Sequence, residues 1–256
     1  MFGICNLSVV PVRKEPADRS EMVNQLLFGE HFEVLERKKQ WTRIRTTHDD
    51  YTGWIDTKQF TEIAPEDFNK LNKSASHLVA ELVHFIRVND QLIPLLLGST
   101  LPFFDGYAFR IGAKEYTYEG MVRNADKFLS KKSIVENALL YLNAPYLWGG
   151  RSPFGIDCSG FTQMAYLLSG QRIRRDAYQQ AEQGRTLNFP SEAEPGDLAF
   201  FANEEGKISH TGIMLEDGKI IHASGKVRID MIDHQGIYNA EMGQYTHAFR
   251  LIKRIV

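Results

Sequence analysis

Hydrophobic and polar residues alternate along short runs near the start of the chain. The alternation is visible in residues 31–36, which read His-Phe-Glu-Val-Leu-Glu, and in residues 41–45, which read Trp-Thr-Arg-Ile-Arg. A period of two is typical of strands that bury one face. Residues 48–50, His-Asp-Asp, predict a turn between two such strands. Strands this short and evenly spaced, within about 60 residues, predict a small β-barrel.

The first half of the chain repeats this pattern loosely. Leu-Leu-Phe-Gly at residues 26–29 is matched by Leu-Leu-Leu-Gly at residues 95–98, an offset of 69. Tyr-Thr-Gly-Trp-Ile at residues 51–55 is matched by Tyr-Glu-Gly-Met-Val at residues 118–122, an offset of 67. Such similar offsets predict two copies of one module. The second copy is the more divergent, because methionine replaces the tryptophan of the first.

The second half begins with a helical pattern. Ser133 and Glu136 fit a capping box, in which Ser accepts a hydrogen bond from a backbone N–H and Glu reaches back. Apolar residues then recur at i, i+3, i+4 and i+7, so we expect a helix that begins near Lys132 and ends before Pro145. Its predicted buried face consists of Val135, Ala138, Leu139 and Leu142.

A second helical pattern follows a glycine-rich loop and starts with a cysteine. Apolar residues recur with helical spacing from Phe161 until Gly170, so Cys158 is expected in the first turn. The partial positive charge at a helix N-terminus stabilises a thiolate and lowers its pKa, and free N–H groups there can bind an oxyanion. These features predict Cys158 as a nucleophile. The alternative is an inert, buried cysteine. Cys5 has neither a helix start nor a base nearby and is interpreted as a strand residue.

A cysteine nucleophile needs a base, and two histidines lie in strand-like runs. His210 belongs to residues 209–215 and His222 to residues 219–223, with Glu-Asp-Gly between them as a hairpin turn. Adjacent antiparallel strands would set the two histidines side by side, one as base and the other as its orienting partner. The alternatives are two structural histidines or a zinc site with Cys158. The other histidines lack this context and are interpreted as surface or structural residues: His31, His48, His77, His84, His234 and His247.

Composition and charge exclude several classes of protein. The 256 residues are 43% hydrophobic and 24% charged, an ordinary globular balance for one to three domains. The formal charge is −2 and no basic block occurs, so neither nucleic acid nor an anionic membrane is an expected partner. Two cysteines are too few for a disulfide scaffold or a cysteine-rich zinc site. No cofactor is indicated, and nothing in the sequence predicts the oligomeric state.

The chain shows no targeting or membrane-spanning pattern. No apolar run approaches the roughly 20 residues that cross a bilayer. Residues 1–12 are fairly apolar, but Asn6 and Ser8 interrupt them and no positive charge precedes them, unlike a secretory signal. We therefore expect a cytoplasmic protein. A chain from which a leader had been removed would read the same, and would be periplasmic or exported.

Five motifs in the second half together resemble the NlpC/p60 cysteine peptidases. They are Tyr-Leu-Trp-Gly-Gly (146–150), Asp-Cys-Ser-Gly (157–160), Pro-Gly-Asp-Leu (195–198), His-Thr-Gly (210–212) and Ile-His-Ala (221–223). The modules of the first half resemble the bacterial SH3-like (SH3b) family, with a Leu-Leu-x-Gly turn, a strand carrying Trp and a closing Gly-Trp-Ile strand. Taken whole, the chain is similar to the γ-D-glutamyl-L-diamino acid endopeptidases among the NlpC/p60 proteins.

The resemblance implies an α+β fold. Two small SH3-like β-barrels would be followed by a papain-like α/β catalytic domain. The expected boundaries are barrel 1 at residues 1–62, a linker at 63–77, a divergent barrel 2 at 78–130 and the catalytic domain at 131–256.

The resemblance also implies roles for individual residues. Cys158 would be the nucleophile, His210 the base and His222 the residue that orients it, while Tyr146 would lie by the oxyanion site. No metal is implied. The Trp148 side chain is expected to form a wall of the site, with core packing as the alternative. The substrate-binding residues expected are Trp148, Asp157, Ser159, Arg175 and Asp176, together with Glu21 and Tyr51 of the first module.

The function implied is hydrolysis of a bond in cell-wall peptides. The expected scissile bond joins γ-D-glutamate to an L-diamino acid, meso-diaminopimelate or L-lysine, in short murein peptides with a free N-terminal L-alanine. Such an activity would serve recycling or degradation of murein peptides. Two alternatives stay open: a non-catalytic SH3-like protein that binds peptidoglycan, and a cell-wall amidase of the same fold.

Overall fold

The computed structural model describes residues 1–88, 91–188 and 190–256. The chain divides into two compact units. The first contains Met1–Lys127 together with Trp148–Pro153, and the second contains Phe128–Leu147 and Phe154–Val256. The loop at residues 148–153, expected in the catalytic domain, therefore groups with the first half of the chain.

The first unit opens with a seven-stranded antiparallel sheet in the order β3-β2-β6-β5-β4-β1-β7. Alternate residues point into its core, so that β2 buries Val10 and Val12 and leaves Val9, Pro11 and Arg13 half-buried. Gly53 of β6 is required at this packing, since a Cβ there would lie 2.4 Å from Val12 Cγ1. The strands are β1 (Phe2–Ile4), β2 (Val9–Arg13), β3 (Met22–Leu27), β4 (His31–Lys38), β5 (Trp41–Thr46), β6 (Thr52–Asp56) and β7 (Thr61–Ile63), with a 3-10 helix at Thr57–Gln59.

The rest of the first unit contains one short helix and three two-stranded antiparallel sheets. These sheets share a core in which Val79 and Phe109 pack with Phe28 from the preceding sheet. The sheets pair β8 with β13, β9 with β10 and β11 with β12. The elements are α1 (Pro65–Leu71), β8 (His77–Val79), β9 (Val83–Val88), β10 (Gln91–Leu96), β11 (Ala108–Ile111), β12 (Lys114–Thr117), β13 (Val122–Asn124) and, from the returning loop, β14 (Arg151–Ser152).

The internal repeat is visible in backbone hydrogen bonds. Gly29 and Gly98 both have left-handed φ angles, of 79° and 86°. The N–H of Gly29 donates to Cys5 O at 2.8 Å, and the N–H of Gly98 donates to Val79 O at 2.9 Å. Both copies thus use a Leu-Leu-x-Gly turn in which only glycine adopts the backbone angle at low cost.

The second unit is built on a closed antiparallel barrel. Six strands form the ring, because β22 pairs with both β17 and β21, and β16 adds to the outer side of β22. The helices are α2 (Lys131–Leu139), α3 (Cys158–Leu168) and α4 (Ala177–Gln180), with a 3-10 helix at Pro190–Glu192. The strands are β15 (Gly155–Ile156), β16 (Arg185–Thr186), β17 (Leu198–Ala202), β18 (Ile208–Met214), β19 (Lys219–Ser224), β20 (Lys226–Ile232), β21 (Gly236–Asn239) and β22 (Gln244–Arg254).

Helix α2 departs from its prediction at both ends and in its buried face. Its N-cap is Ser130, whose hydroxyl accepts from Ser133 N–H at 3.1 Å, so Ser133 is the third helical residue instead of the cap. The helix ends at Leu139, which is exposed. The buried side carries Ile134, Asn137 and the predicted Ala138, and the Asn137 amide donates to Ser169 at the end of α3.

Helix α3 and the hairpin β18–β19 form where the sequence predicts them. The helix begins at Cys158 and ends at Leu168, and all its residues are buried. In the hairpin, Gly212 faces His222 across the ladder. Of the helices in the described part of the chain, none combines the length and apolar character needed to cross a bilayer.

Candidate active site

Cys158 occupies the first turn of α3, beside strand β18. Asp157 caps the helix through its carboxylate, which accepts the N–H of Gly160 at 2.6 Å. The thiol is 6% exposed and accepts backbone N–H bonds from Ser159 and from Thr211, the residue after His210. The nucleophile candidate therefore sits between a helix start and the strand that carries the predicted base.

The ionisation state of this thiol differs from the prediction. Burial raises the pKa of Cys158 to about 12, and the negative charge of Asp157 acts in the same direction. The two N–H donors and the guanidinium of Arg175 lower this pKa, but they do not outweigh burial. Cys158 is thus a thiol in the resting enzyme, because removal of water from the sulfur destabilises the thiolate more than the helix N-terminus stabilises it.

His210 and His222 are adjacent and hydrogen-bonded, as the predicted hairpin requires. His210 Nε2 lies 2.8 Å from His222 Nδ1, and both rings are buried. The close approach depends on Gly212, where an added Cβ would lie 2.8 Å from the Cβ of His222. Burial holds the pKa of His210 well below its usual value, and the neighbouring imidazoles of His247 and His222 add to this effect. The base is therefore neutral at neutral pH and able to accept a proton.

The other ring nitrogen of His222 contacts a carboxylate that sequence reasoning missed. His222 Nε2 lies 2.9 Å from Asp230 Oδ2, and Arg228 binds the same carboxylate through Nε at 2.6 Å and Nη2 at 2.9 Å. The signal available in the sequence was a pair of opposite charges two residues apart in one strand, which share a face of β20.

His247 also lies in this cluster, which corrects its interpretation as a residue without site context. Its ring stacks on His210 with centroids 4.0 Å apart and planes at 27°. Burial lowers the pKa of His247 to about 4, and the neighbouring His222 acts in the same direction. The alternation of polar and apolar residues along β22 does not indicate this role for His247, because His210 and His222, which it contacts, lie on other strands.

The three histidines are also the group most suited to a metal ion in the described part of the chain. One nitrogen from each lies within 4.8 Å of the others. Stacked rings, however, direct their in-plane lone pairs side by side and not toward a common point, and both nitrogens of His222 already have partners. The arrangement favours proton transfer over metal binding.

Tyr146 lies within electrostatic reach of the thiol. Burial raises the pKa of its phenol, and the negative charges that Cys158 and Asp157 would carry raise it further. Its hydroxyl therefore stays protonated and can donate a hydrogen bond. The backbone N–H of Tyr146 donates to Gly225 O at 2.9 Å, which fixes this segment to the barrel.

Three of the four substrate residues predicted in the second unit, Asp157, Ser159 and Arg175, are hydrogen-bonded to one another. Arg175 is buried and pairs with both oxygens of Asp157, at 3.0 and 2.7 Å, and also donates to Ser159 Oγ at 3.0 Å. Asp176 is the N-cap of α4, and its N–H donates to Gln179 Oε1. Asp157, Ser159 and Arg175 thus form one cluster at the start of α3, where Arg175 offsets the charge of Asp157, whereas Asp176 lies at the start of α4.

Three predicted substrate residues lie in the first unit. Trp148 is 59% exposed, and its indole N–H donates to Glu21 Oε1 at 2.8 Å. Tyr51 follows the β5–β6 turn, where its N–H donates to Thr46 Oγ1 at 2.9 Å. Gly149 has a φ of 75°, and a Cβ there would meet Met22 O at 2.5 Å, so the motif needs glycine at this position.

The loop that carries Trp148 is held by a buried ion pair. Arg151 is fully buried and donates to Glu30 Oε2 at 2.9 Å and to Gln25 O at 2.9 Å. Glu30 follows the glycine of the Leu-Leu-Phe-Gly turn and also accepts the N–H of Leu27. The residue directly after the Tyr-Leu-Trp-Gly-Gly motif thus binds the first module, a role that sequence spacing does not reveal.

A buried thiol at a helix start, with a neutral imidazole on the adjacent strand and a second imidazole behind it, defines a cysteine peptidase site. The profile of the NlpC/P60 family matches residues 143–247, and that of the bacterial dipeptidyl-peptidase Sh3 domain matches residues 12–60. The chain belongs to the NlpC/P60 family of cysteine peptidases.

Two named relatives cover both halves of the chain. The gamma-D-glutamyl-L-lysine dipeptidyl-peptidase of Bacillus subtilis (strain 168) is 31% identical over 219 residues, which span 78% of this chain and 71% of that protein. Dipeptidyl-peptidase 6 of Lysinibacillus sphaericus is 28% identical over 250 residues, 86% of this chain and 88% of that protein. These matches confirm the predicted family and the enzyme class.

A solved structure supports the fold. The crystal structure of an NlpC/P60 family protein from Bacillus cereus ATCC 10987 has a TM-score of 0.84 at 20% identity and covers 100% of this chain and 99% of that one. The expected α+β class, with an SH3-like part and a catalytic part, is confirmed.

Proposed function

We propose that this enzyme hydrolyses the γ-D-glutamyl-L-diamino acid bond of short murein peptides that have a free N-terminal L-alanine. The main support is the arrangement of Cys158 at a helix start beside the hairpin that carries His210 and His222. The protein is also similar over both halves to two dipeptidyl-peptidases. The activity would serve recycling or degradation of cell-wall peptides.

The proposed reaction is acyl transfer to the Cys158 sulfur. Because the resting thiol is protonated and His210 is neutral, the first step is proton transfer from sulfur to the His210 nitrogen that does not face His222, coupled to attack on the γ-carbonyl. Backbone N–H groups at the start of α3 and the Tyr146 hydroxyl would donate to the oxyanion. The imidazolium then protonates the leaving amine of the diamino acid, and water hydrolyses the thioester with His210 again as base.

Charge complementarity supports the requirement for a free amine. The Glu21 carboxylate accepts from the Trp148 indole and pairs with the exposed Lys14, and it is the proposed acceptor for a substrate ammonium group in place of Lys14, with Tyr51 assisting it. Asp157, Ser159, Arg175 and Asp176 are proposed to act on the D-glutamyl portion. All of these assignments are predictions from the family resemblance.

Mass spectrometry of the products tests the proposal. L-Ala-γ-D-Glu-meso-diaminopimelate and its L-lysine counterpart should each give L-Ala-γ-D-Glu and the free diamino acid. Cys158→Ala should give neither product, while Cys5→Ala, the matched control at the other buried cysteine, should retain turnover. An N-acetylated tripeptide should be cleaved far more slowly than the free one.

Other outcomes point to the two alternative functions. Release of L-alanine-bearing peptides from intact glycan strands would indicate an amidase. Binding to peptidoglycan without any turnover would indicate a non-catalytic binding protein. Product formation by Cys158→Ala would contradict the mechanism itself.

A further inference from the structure

We propose that Asp230 is a positioning residue that fixes the proton positions on His222 and, through it, on His210, so that the nitrogen of His210 available to the thiol is unprotonated. The proposal rests on the cysteine peptidase function described above. It adds a fourth residue behind the nucleophile, the base and the orienting histidine.

The Asp230 carboxylate sets the proton position on His222. An ionised carboxylate accepts hydrogen bonds and donates none. Asp230 is buried and stays ionised: burial raises its pKa, but hydrogen bonds from His222 and Arg228 lower the pKa to about 2. Since Asp230 Oδ2 lies 2.9 Å from His222 Nε2, that nitrogen must carry a proton.

The proton on His222 Nε2 determines the state of the next ring. A neutral imidazole with a proton on Nε2 has an unprotonated Nδ1, which can only accept. His222 Nδ1 lies 2.8 Å from His210 Nε2, so His210 must donate from Nε2. Neutral His210 then has an unprotonated Nδ1, the form that a general base requires.

Arg228 has a matching role on the opposite side of the carboxylate. Its Nε and Nη2 bind the two oxygens of Asp230, and its Nη1 binds Glu241 at 3.0 Å. Neutralising the carboxylate limits its tendency to draw a second proton onto His222. The charged and titratable groups facing Asp230 are thus Arg228 with Glu241 behind it, His222 on β19 and His247 on β22.

A purely structural ion pair makes a different prediction. If Asp230 only tied β20 to β19, its replacement would lower the free energy of unfolding without changing the tautomers of the remaining histidines. If it fixes proton positions, an isosteric amide should disrupt them, because Asn can present an NH₂ group to His222 Nε2 and favour the reverse tautomers.

The first experiment measures tautomers directly. Long-range ¹H–¹⁵N spectra of imidazole-labelled Cys158→Ala protein should show His210 and His222 both protonated at Nε2 near neutral pH. Adding Asp230→Asn should move both rings toward the Nδ1–H form. This readout needs no substrate, so it stands even if the proposed peptide is not cleaved. Finding His222 protonated at Nδ1 in the parent protein would overturn the proposal, even if the Asn variant does not fold.

The second experiment measures turnover. Asp230→Asn should lower kcat on the order of 10²-fold with KM nearly unchanged, less than the roughly 10⁴-fold loss seen when the residue directly bonded to the base of a triad loses tautomer control, because Asp230 acts through His222. Asp230→Glu should recover part of that loss, and Asp217→Asn, the control at an exposed acid in the β18–β19 turn, should leave kcat unchanged. The pH dependence of kcat should shift on its acid side in Asp230→Asn alone. A kcat for Asp230→Asn equal to that of the parent enzyme would overturn the proposal.

Discussion

Cys158 shows how two local effects compete at one atom. Its position at the start of α3 favours a thiolate, and two backbone N–H groups do donate to the sulfur. The surrounding protein excludes water from the sulfur. This desolvation destabilises the thiolate more than the helix start and the N–H groups stabilise it, so the pKa of the thiol rises to about 12. Proton transfer to His210 therefore belongs to the reaction step and not to the resting state.

The resting thiol leads to a first prediction. In Cys5→Ala protein, thiolate absorbance at 240 nm should be absent at pH 7 and should grow only at strongly alkaline pH. Cys158→Ala in the same background provides the baseline. A thiolate signal at neutral pH would instead show that the free enzyme holds a thiolate–imidazolium pair.

A second prediction separates the two histidines of the hairpin. His210→Ala should abolish turnover, because it removes the proposed acceptor of the thiol proton. His222→Gln should lose less activity than His210→Ala, since His222 positions the base and does not touch the substrate. Steady-state kinetics of both variants on the same tripeptide provide the comparison, and equal losses would contradict these roles.

At the scale of elements, the barrel brings together histidine side chains from three different strands. His210, His222 and His247 come from β18, β19 and β22, and their rings meet because those strands are packed in one closed ring. Helix α2 shows that a local pattern does not determine which side of a helix is buried. It buries Ile134 and the predicted Ala138 together with Asn137, whose amide donates to Ser169, and it leaves Leu139 exposed. Periodicity predicted that the helix exists but not the side it buries.

This cluster predicts acid sensitivity of the second unit. His210 and His247 have lowered pKa values in the folded state, that of His247 being about 4, so the unfolded chain binds more protons once the pH falls below about 6.5. The free energy of unfolding should therefore be fully retained above pH 7 and should decrease as the pH falls from 6.5 toward 4.

Urea unfolding followed by circular dichroism at several pH values measures this effect. His247→Phe keeps a ring for stacking but removes the titrating group, so its stability should decline less steeply with acid than that of the parent. His234→Phe, at an exposed position, is the control and should keep the parent slope. Identical slopes for all three proteins would contradict the prediction.

At the scale of the whole molecule, two neighbouring sequence motifs are divided between the two units. Residues 157–160 belong to the second unit, whereas Trp148–Pro153 belong to the first, where Arg151 is buried against Glu30. Burial raises the pKa of Glu30, but the charge of Arg151, with the neighbouring His48 acting in the same direction, leaves that pKa below its usual value. The four boundaries expected from the sequence stay predictions, as does the cytoplasmic location.

The buried pair predicts a large loss of stability in the first unit. Glu30→Gln leaves the Arg151 charge buried without its carboxylate, which should cost about 3–5 kcal/mol in the free energy of unfolding. Glu33→Gln, which breaks the exposed pair with Arg45, should cost less than about 1 kcal/mol. Urea unfolding of the two variants tests this difference, and similar losses would show that the buried pair is not a stabilising contact.

The sequence by itself determined the local chemistry of this protein. A helix start, a hairpin with two histidines and a paired Leu-Leu-x-Gly turn depend on neighbouring residues, and spacing alone predicts them. The tertiary structure decided the ionisation of Cys158, the place of Asp230 and His247 beside the base, and the burial of Arg151. Each of these depends on loss of water and on contacts between residues far apart in the chain, and neither quantity is encoded in the spacing of residues along it.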